Sequence, residues 1–319
     1  MARKFPRRFG GGIPYPTGLD PRAVTLGRGP AVASGASMLT LSYSPRAPLN
    51  QFVERLWFVS HAQCVRQECI LPSGTVELVV NLCDDRVRIE GTAHGASGKT
   101  LSGIAVSGPY SEAFIIDATQ HAGMMGAHFR PGGASAVLGV PCSELVDAHV
   151  NVASLWGEAF AGELRERLCG APSHQARFRY LEDALMRRLR LQHQLHPQHR
   201  QHSVVPFALD YFNRPGARTP VRDVARRFGL SHRRFLTIFT TEVGLPPKLY
   251  CRIVRFQQAH ALAQQTGHLD WAQLALECGF CDQAHLANEF RKLSGLTPTD
   301  YQRKIREQRD VLRGHVALS

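Results

Sequence analysis

VRDVARRFGLSHRRFLTIFTTEVGLPPKLYCR, residues 221–252, is followed by WAQLALECGFCDQAHLANEFRKLSGLTPTDYQR, residues 271–303, and the two stretches are versions of one text. An offset of 50 maps Val224 to Leu274, Ala225 to Ala275, Gly229 to Gly279 and Leu230 to Phe280. One extra residue enters at the turn, after which an offset of 51 maps Phe235 to Leu286, Phe239 to Phe290, Gly244 to Gly295, Leu245 to Leu296, Pro247 to Pro298 and Tyr250 to Tyr301. So many coincidences at two adjacent offsets mark an internal duplication.

Each copy has the physics of a helix-turn-helix. Thr219 caps the first helix of copy one with Pro220 at its first helical position, and Asp270, with Gln273 three residues on, opens copy two as a capping box. Ala225 and Ala275 leave room for close helix crossing, while Gly229 and Gly279 stand where the chain must turn with a positive φ. Ser231 and Asp282 then cap second helices whose inner faces are Phe235/Phe239 and Leu286/Phe290, each pair four residues apart. The opposite faces, His232, Arg233, Leu236, Thr237 and Thr240 in one copy and Gln283, Ala284, Ala287, Asn288 and Arg291 in the other, are the candidate base readers for a major groove. Arg233 suits guanine, Gln283 and Asn288 suit adenine, and Leu236, Ala284 and Ala287 suit thymine methyls. Arg234, Arg291, Lys292 and Lys304 are placed nearer phosphates, where they add affinity without sequence information.

Between the copies, an apolar stripe through Leu249, Ile253, Phe256, Ala259 and Leu262 predicts one connecting helix. Residues 248–264 would then span ~25 Å, enough to hold two recognition helices in successive grooves. Upstream, LQHQLHPQHRQHS (191–203) carries His193, His196, His199 and His202 around Pro197, which reads as a linker; the proline breaks any helix that would align the four imidazoles on a metal.

The region before the linker is written differently. From Leu39 to about Arg130, short apolar runs (FVERLWFV, TVELVVNL, GIAVSGP, EAFIIDA) alternate with Gly, Pro, Asp and Asn, the pattern of strands and turns. From about Ser135 the spacing lengthens to a helical one, through Leu145 and Val146, then Leu155, Phe160, Leu164 and Leu168, then Tyr180, Leu181, Leu185 and Leu189. The fold class expected is therefore a mixed α+β N-terminal domain, strand-rich then helical, followed by an all-α C-terminal domain with two helix-turn-helix motifs joined by a long helix. The domains expected are a basic Gly/Pro-rich tail (1–35), the α+β domain (36–190), the linker (191–203), the double helix-turn-helix (204–308) and a C-terminal tail (309–319).

The formal net charge of +12 is unevenly placed. Lys and Arg outnumber Asp and Glu by 6 to 1 in residues 1–30 and by 17 to 10 in residues 204–319, and balance them at 15 each in between. A basic excess confined to one domain favours a polyanionic partner through attraction and counterion release. No run reaches the ~18 apolar residues that cross a bilayer, and the N-terminus lacks the apolar core of a secretory signal, so a cytoplasmic location and no membrane partner are expected. The eight cysteines (64, 69, 83, 142, 169, 251, 278, 281) show no paired framework; only Cys278 and Cys281, in CGFC, have a redox or half-zinc spacing.

Copy two, ALECGFCDQAHLANEFRKLSGLTPTDYQRK (275–304), resembles the signature of the AraC/XylS family of transcription regulators. There a GF turn, a polar cap, F-(K/R)-K, G-x-(S/T)-P and a Tyr-Arg ending recur in order. The chain departs from that pattern at Asn288, where arginine is usual, and at Tyr301-Gln302-Arg303, where arginine usually follows tyrosine directly. The resemblance also places Cys278 on a buried helix end and Cys281 in a turn, which removes the redox and zinc readings. More weakly, YSPRAPLNQFVERLWFV (43–59), ILPSGTVELVVNL (70–82) and GAHFRPGGASAVLGVPCSELVDAHV (126–150) resemble an uncharacterised sensor-like domain often fused to such regulators.

The resemblance implies a sequence-specific DNA-binding transcription regulator, nucleoid-associated and not an enzyme. No cofactor and no metal are expected. Its expected partners are double-stranded promoter DNA, RNA polymerase, a small-molecule effector and a second copy of the chain. In the N-terminal domain, His128 and Arg130 are candidates for lining an effector pocket, with the alternative that Arg130 bonds backbone carbonyls beside the Pro131-Gly132-Gly133 turn. Two other readings are an enzyme of the DNA-repair methyl-acceptor type fused to an AraC-like domain, and an interaction module without DNA binding. The first needs a four-cysteine zinc site, for which Cys64, Cys69, Cys83 and Cys142 are too dispersed.

Overall fold

The computed structural model describes residues 25–28, 38–61, 67–195, 204–214, 219–265, 270–307 and 315–317. Among these residues the N-terminal domain has eleven strands: β1 (Thr25–Arg28), β2 (Met38–Tyr43), β3 (Val53–His61), β4 (Gln67–Ile70), β5 (Glu77–Asn81), β6 (Arg86–Thr92), β7 (Ser97–Ser102), β8 (Ile104–Ser107), β9 (Phe114–Asp117), β10 (Met124–Phe129) and β11 (His149–Asn151). Four helices accompany them: α1 (Ser135–Leu138), α2 (Val152–Trp156), α3 (Glu158–Cys169) and α4 (His174–Leu195). The C-terminal domain contains α5 (Val205–Phe212), α6 (Val221–Arg227), α7 (His232–Val243), α8 (Pro247–Gln265), α9 (Trp271–Glu277), α10 (Gln283–Ser294) and α11 (Pro298–Glu307), and a last strand, β12 (His315–Ala317), follows.

The strands form two antiparallel sheets, ordered β1-β2-β3-β10-β5-β8-β11 and β12-β4-β9-β6-β7. Alternation along each strand assigns the faces of the larger sheet. Leu56 and Phe58 of β3, Leu78 and Val80 of β5, Ile104 and Val106 of β8, and Met125, Ala127 and Phe129 of β10 pack against Val137, Leu138, Leu164, Phe178, Leu181, Leu185 and Leu189 of the helices. The other face turns toward the smaller sheet, so the layers run helices, sheet, sheet. Glu182 of α4 is buried and anchors this packing: its carboxylate accepts from Tyr43 Oη at 3.0 Å, the Arg46 backbone amide at 2.6 Å and Arg46 Nε at 2.9 Å. Burial and the adjacent carboxylate push the Tyr43 phenol above its ordinary range.

Glu182→Ala is expected to lower stability by about 2 kcal/mol, because the Tyr43 hydroxyl and the Arg46 amide, both part-buried, lose their acceptor together. Arg46→Ala is expected to cost under about 1 kcal/mol, since the Arg46 side chain is 69% exposed and its amide keeps Glu182. Urea midpoints of the two variants check the difference.

The C-terminal domain follows the duplication residue for residue. The first helices α6 and α9 are both 7 residues long and start 50 apart, and the second helices α7 and α10 are both 12 long and start 51 apart. Gly229 and Gly279 take φ of +68° and +78° in the two turns. Ile253, Phe256 and Ala259 of the connecting helix α8 are fully buried in the shared core with Phe235, Phe239, Leu286 and Phe290. Tyr250 donates to Asn213 at 2.9 Å, and Tyr301, its counterpart, is hydrogen-bonded to His260. Each tyrosine thus ties its repeat back to the region just before that repeat's first helix.

Several local expectations are corrected. Pro220 is the cap of α6, with ψ of 135°, so Thr219 lies outside the helix. The capping box of α9 is half-formed: Asp270 accepts from the amides of Ala272 and Gln273, while the Gln273 side chain turns to Glu277. Leu145 and Val146 follow a 3-10 turn, Cys142–Glu144, instead of starting a helix, because Pro141 and the nearby β11 interrupt the run. Helix α4 continues to Leu195, so His193 is helical and packs edge-on against Phe52, whereas His196, His199 and His202 lie outside the described residues. Most of the 1–35 tail also lies outside them, but Thr25–Arg28 pairs with β2; at the other end, His315–Ala317 pairs with β4. A three-residue pairing between distant segments leaves no periodicity to read. Among the described residues, no helix is long and apolar enough to cross a membrane.

Candidate nucleic-acid interface

Helix α7 starts at Ser231, whose hydroxyl accepts from the Arg234 amide at 3.2 Å, and α10 starts at Asp282, whose carboxylate accepts from the His285 amide at 2.7 Å. Phe235, Phe239 and Val243 then bury one face of α7, and Leu286, Phe290 and Leu293 one face of α10. With those stripes inward, His232, Arg233 and Thr237 of α7 and Gln283, Ala284 and Asn288 of α10 are exposed, and Leu236, Thr240 and Ala287 half-buried. The two faces therefore occupy equivalent positions of the repeat.

Charge on this surface is uncompensated. Among the described residues, Arg233, Arg234, Arg291 and Lys292 are exposed and enter no ion pair, which leaves their charge available to an anion. Arg222, Arg226 and Arg227 of α6 are also exposed, Arg222 and Arg226 sharing Asp223 at 3.7 and 3.6 Å. The sequence reading passed over these three because they precede the recognition helix. Lys304 sits elsewhere: it is half-buried, and its charge acts on the buried Cys69 thiol of β4. Glu289 of α10 is bound in bidentate fashion by Arg252 of α8 at 2.6 and 3.1 Å, so the second recognition helix is fixed in rotation against the connecting helix.

The N-terminal domain grips the opposite ends of both recognition helices. The Ala113 amide donates to Leu293 O at 2.7 Å, and His94 Nε2 lies 3.1 Å from Lys292 O, both at the C-terminus of α10. At the C-terminus of α7, Gly244 abuts Pro109 and Cys142. The Leu71-Pro72-Ser73-Gly74 turn meets α8, where Gln257 donates to Pro72 O at 2.7 Å, and Cys69, Leu71 and Ala113 join the helical core. The helix starts carrying His232, Arg233, Gln283 and Ala284 point away from this seam.

Arg130 is exposed and donates from Nε to Asn50 O at 2.9 Å, and His128 Nδ1 lies 2.7 Å from Glu77 Oε1. Neither lines the cavity between the two sheets. That cavity, of about 280 Å³, is walled by residues including Thr40, Arg55, Trp57, Glu77, Val79, Phe114 and His149. The signal was present in β3, where Arg55, Trp57 and Val59 alternate with core residues, but alternation alone does not separate a solvent face from a lumen face.

The cysteines divide by environment. Burial pushes the Cys69 and Cys142 thiols up to about 12 and those of Cys251 and Cys278 up to about 11, the reverse of an activated nucleophile; Cys83 and Cys281 are exposed. Among the described residues, no three of His, Cys, Asp and Glu gather as a metal site.

Comparison with known proteins matches two segments. Residues 224–304 fit a family model described as a helix-turn-helix domain, and residues 41–151 one described as a domain of unknown function (DUF6597). Over 98 residues the chain is 28% identical to the HTH-type transcriptional regulator Rv1931c of Mycobacterium tuberculosis, covering 31% of this chain and 38% of that protein. Over 77 residues it is 32% identical to the probable transcriptional regulator LumQ of Photobacterium leiognathi, covering 24% and 31%. The chain thus spans about a third of the length of these curated relatives. A solved transcriptional regulator of Chromobacterium violaceum, described as having an AraC-type DNA-binding domain, aligns at 26% identity over 33% of this chain and 89% of its own, with a TM-score of 0.28.

Proposed function

We propose that this chain, whose C-terminal third is an AraC-type helix-turn-helix domain joined to an N-terminal domain of unknown function, is a one-component transcription regulator that reads promoter DNA through two recognition helices. The observation that carries the reading is the equivalent exposure of two polar helix starts, Ser231–Arg234 and Asp282–Ala284, at matching positions of the repeat. Recognition helices touch base edges with their N-terminal residues. Those are the ends left open, while the N-terminal domain holds the other ends. Helix α8, 19 residues and therefore ~28 Å long, separates the repeats on the scale of one DNA turn. In this reading the N-terminal domain is the regulatory half, acting through the seam at Ala113, Gln257 and Gly244.

The test is selection of the full chain on random duplexes across a range of salt, repeated with Arg233→Ala. The expected result is a site with two half-elements about ten base pairs apart, and a loss of about 1–3 kcal/mol with relaxed preference in one half when Arg233 is removed. If no sequence is enriched and binding fades smoothly with salt, the chain is not a sequence reader. The same DNA-binding domain would then serve as an interaction module.

A further inference from the structure

We propose that the lumen between the two sheets is a binding site for a small, uncharged, largely apolar molecule of one or two rings that carries a hydrogen-bond-accepting group. The inference deepens the reading above by naming a ligand class for the regulatory half, but its test uses no DNA.

The lumen is built by the face of the larger sheet that does not meet the helices. Thr40 and Ser42 of β2, Arg55, Trp57 and Val59 of β3, Glu77 and Val79 of β5, Ala105 and Ser107 of β8 and His149 of β11 supply one wall. Ile70, Val87, Ile89, Phe114 and Ile116 of the smaller sheet supply the other. Its volume of about 280 Å³ compares with the ~150 Å³ of an apolar cavity that takes one benzene ring. The strand residues of the far wall are aliphatic and aromatic, and Gln120, the polar side chain on that side, is already bonded to the Arg88 backbone, which sets the apolar body of the occupant.

The near wall sets its polar group. Thr40 Oγ1, Trp57 Nε1 and His149 Nε2 are buried and have no hydrogen-bond partner among the described residues, and all three residues line the lumen. Most buried side-chain polar atoms are partnered, so three orphans around one cavity point to a missing partner. The indole N–H only donates, and the threonine hydroxyl donates as well as accepts, so the matching group on the occupant is an acceptor. His149 is 8% exposed and wedged 4.7 Å from both the Tyr110 and Phe114 rings. Burial, with the Lys99 ammonium beside it, pushes its imidazole down to about 4, so the ring is neutral at physiological pH.

Strand register places the charged groups. Arg55, His128, Glu77, Ser107 and His149 stand opposite one another across β3, β10, β5, β8 and β11. Among the described residues, the charged side chains lining the lumen are Arg55 and Glu77, one of each sign, which favours an uncharged occupant.

Coumarin and naphthalene test this directly, being two-ring molecules of similar size with and without acceptor oxygens. Calorimetric titration of the full chain is expected to give coumarin an affinity about tenfold above naphthalene, the worth of one or two buried hydrogen bonds. Thr40→Val, which removes a donor and keeps the shape, is expected to cut coumarin affinity about threefold and leave naphthalene unchanged. Val79→Phe, which fills the lumen, is expected to abolish binding of both without lowering the melting temperature. Should that variant fail to fold, Thr40→Val alone carries the comparison. Equal affinities for the two probes, no binding of either, or tighter binding of 1-naphthoate than of coumarin each overturn the proposal. None of these outcomes depends on whether the chain binds a promoter.

Discussion

Phe290→Ala is expected to remove roughly 4 kcal/mol of stability, within the usual range for truncating a buried phenylalanine. The ring is fully buried, with centroids 4.8 Å from Phe256 of α8, 5.6 Å from Trp271 of α9 and 5.4 Å from Tyr301 of α11. It therefore meets each of the other three helices around the second recognition helix, and alanine leaves a cavity bounded by three elements that cannot all collapse into it. Since a domain's whole stability is about 5–15 kcal/mol, the C-terminal transition should move to much lower denaturant. Phe239 holds the same place in the first repeat, 5.7 Å from Phe212 and 5.6 Å from Tyr250. Phe239→Ala is then expected to match it in size. The two should differ in DNA readout: each variant weakens preference in its own half-element before the other's. Denaturant unfolding with half-site competition measures both effects. A stability loss under about 1 kcal/mol for Phe290→Ala would mean that this cluster does not organise the domain.

What was legible in the sequence was local and repeated. Caps at Ser231, Asp270 and Asp282, turns at Gly229 and Gly279, and four-residue apolar spacings each signal within a dozen residues, and the duplication supplied each of them twice except the Asp270 cap, whose counterpart is Pro220. The face of each recognition helix followed from the same spacing. The lumen was not legible, because Arg55 and Trp57 become neighbours of His149 only through a register crossing five strands. Nor was the seam. Leu71-Pro72-Ser73-Gly74 reads as a tight turn, and it is one, but that Gly74 backs onto Tyr250 and Pro72 onto Gln257 is a contact across about 180 residues of chain. His128 and Arg130 attracted attention as polar residues beside a Gly-Gly turn. The strand pairing turns one toward Glu77 and the carbonyl of Asn50 occupies the other.

The seam can be weighed against backbone strain by comparing two glycines. Gly229 has φ of +68°, and Gly244 has φ of +92° with ψ of −40°, outside the left-handed helical region, so alanine at either is forced into a conformation costing an L residue roughly 1–3 kcal/mol. They differ in surroundings. A Cβ at Gly229 meets nothing within 4 Å, whereas one at Gly244 falls 2.5 Å from Pro109 Cγ and 2.9 Å from Cys142 O. Proline is rigid and the carbonyl belongs to a 3-10 turn, so neither can swing aside as a flexible side chain would. Gly229→Ala is expected to cost about 1 kcal/mol and to leave the domains docked. Gly244→Ala is expected to cost about 3 kcal/mol, or to escape that cost by opening the seam around Pro109 and Cys142. Opening would show as faster amide exchange at 110–113 and 142–146, with the α10 start unchanged and the base preference of both half-elements retained, because His232, Arg233, Gln283 and Ala284 lie at the far ends of their helices. Equal losses in the two variants, with no change in exchange at 110–113, would show that the N-terminal domain merely lies beside the first recognition helix. A larger loss in Gly244→Ala makes the end of that helix a strained contact between the halves, the kind of element through which a ligand in one domain can alter presentation of the other.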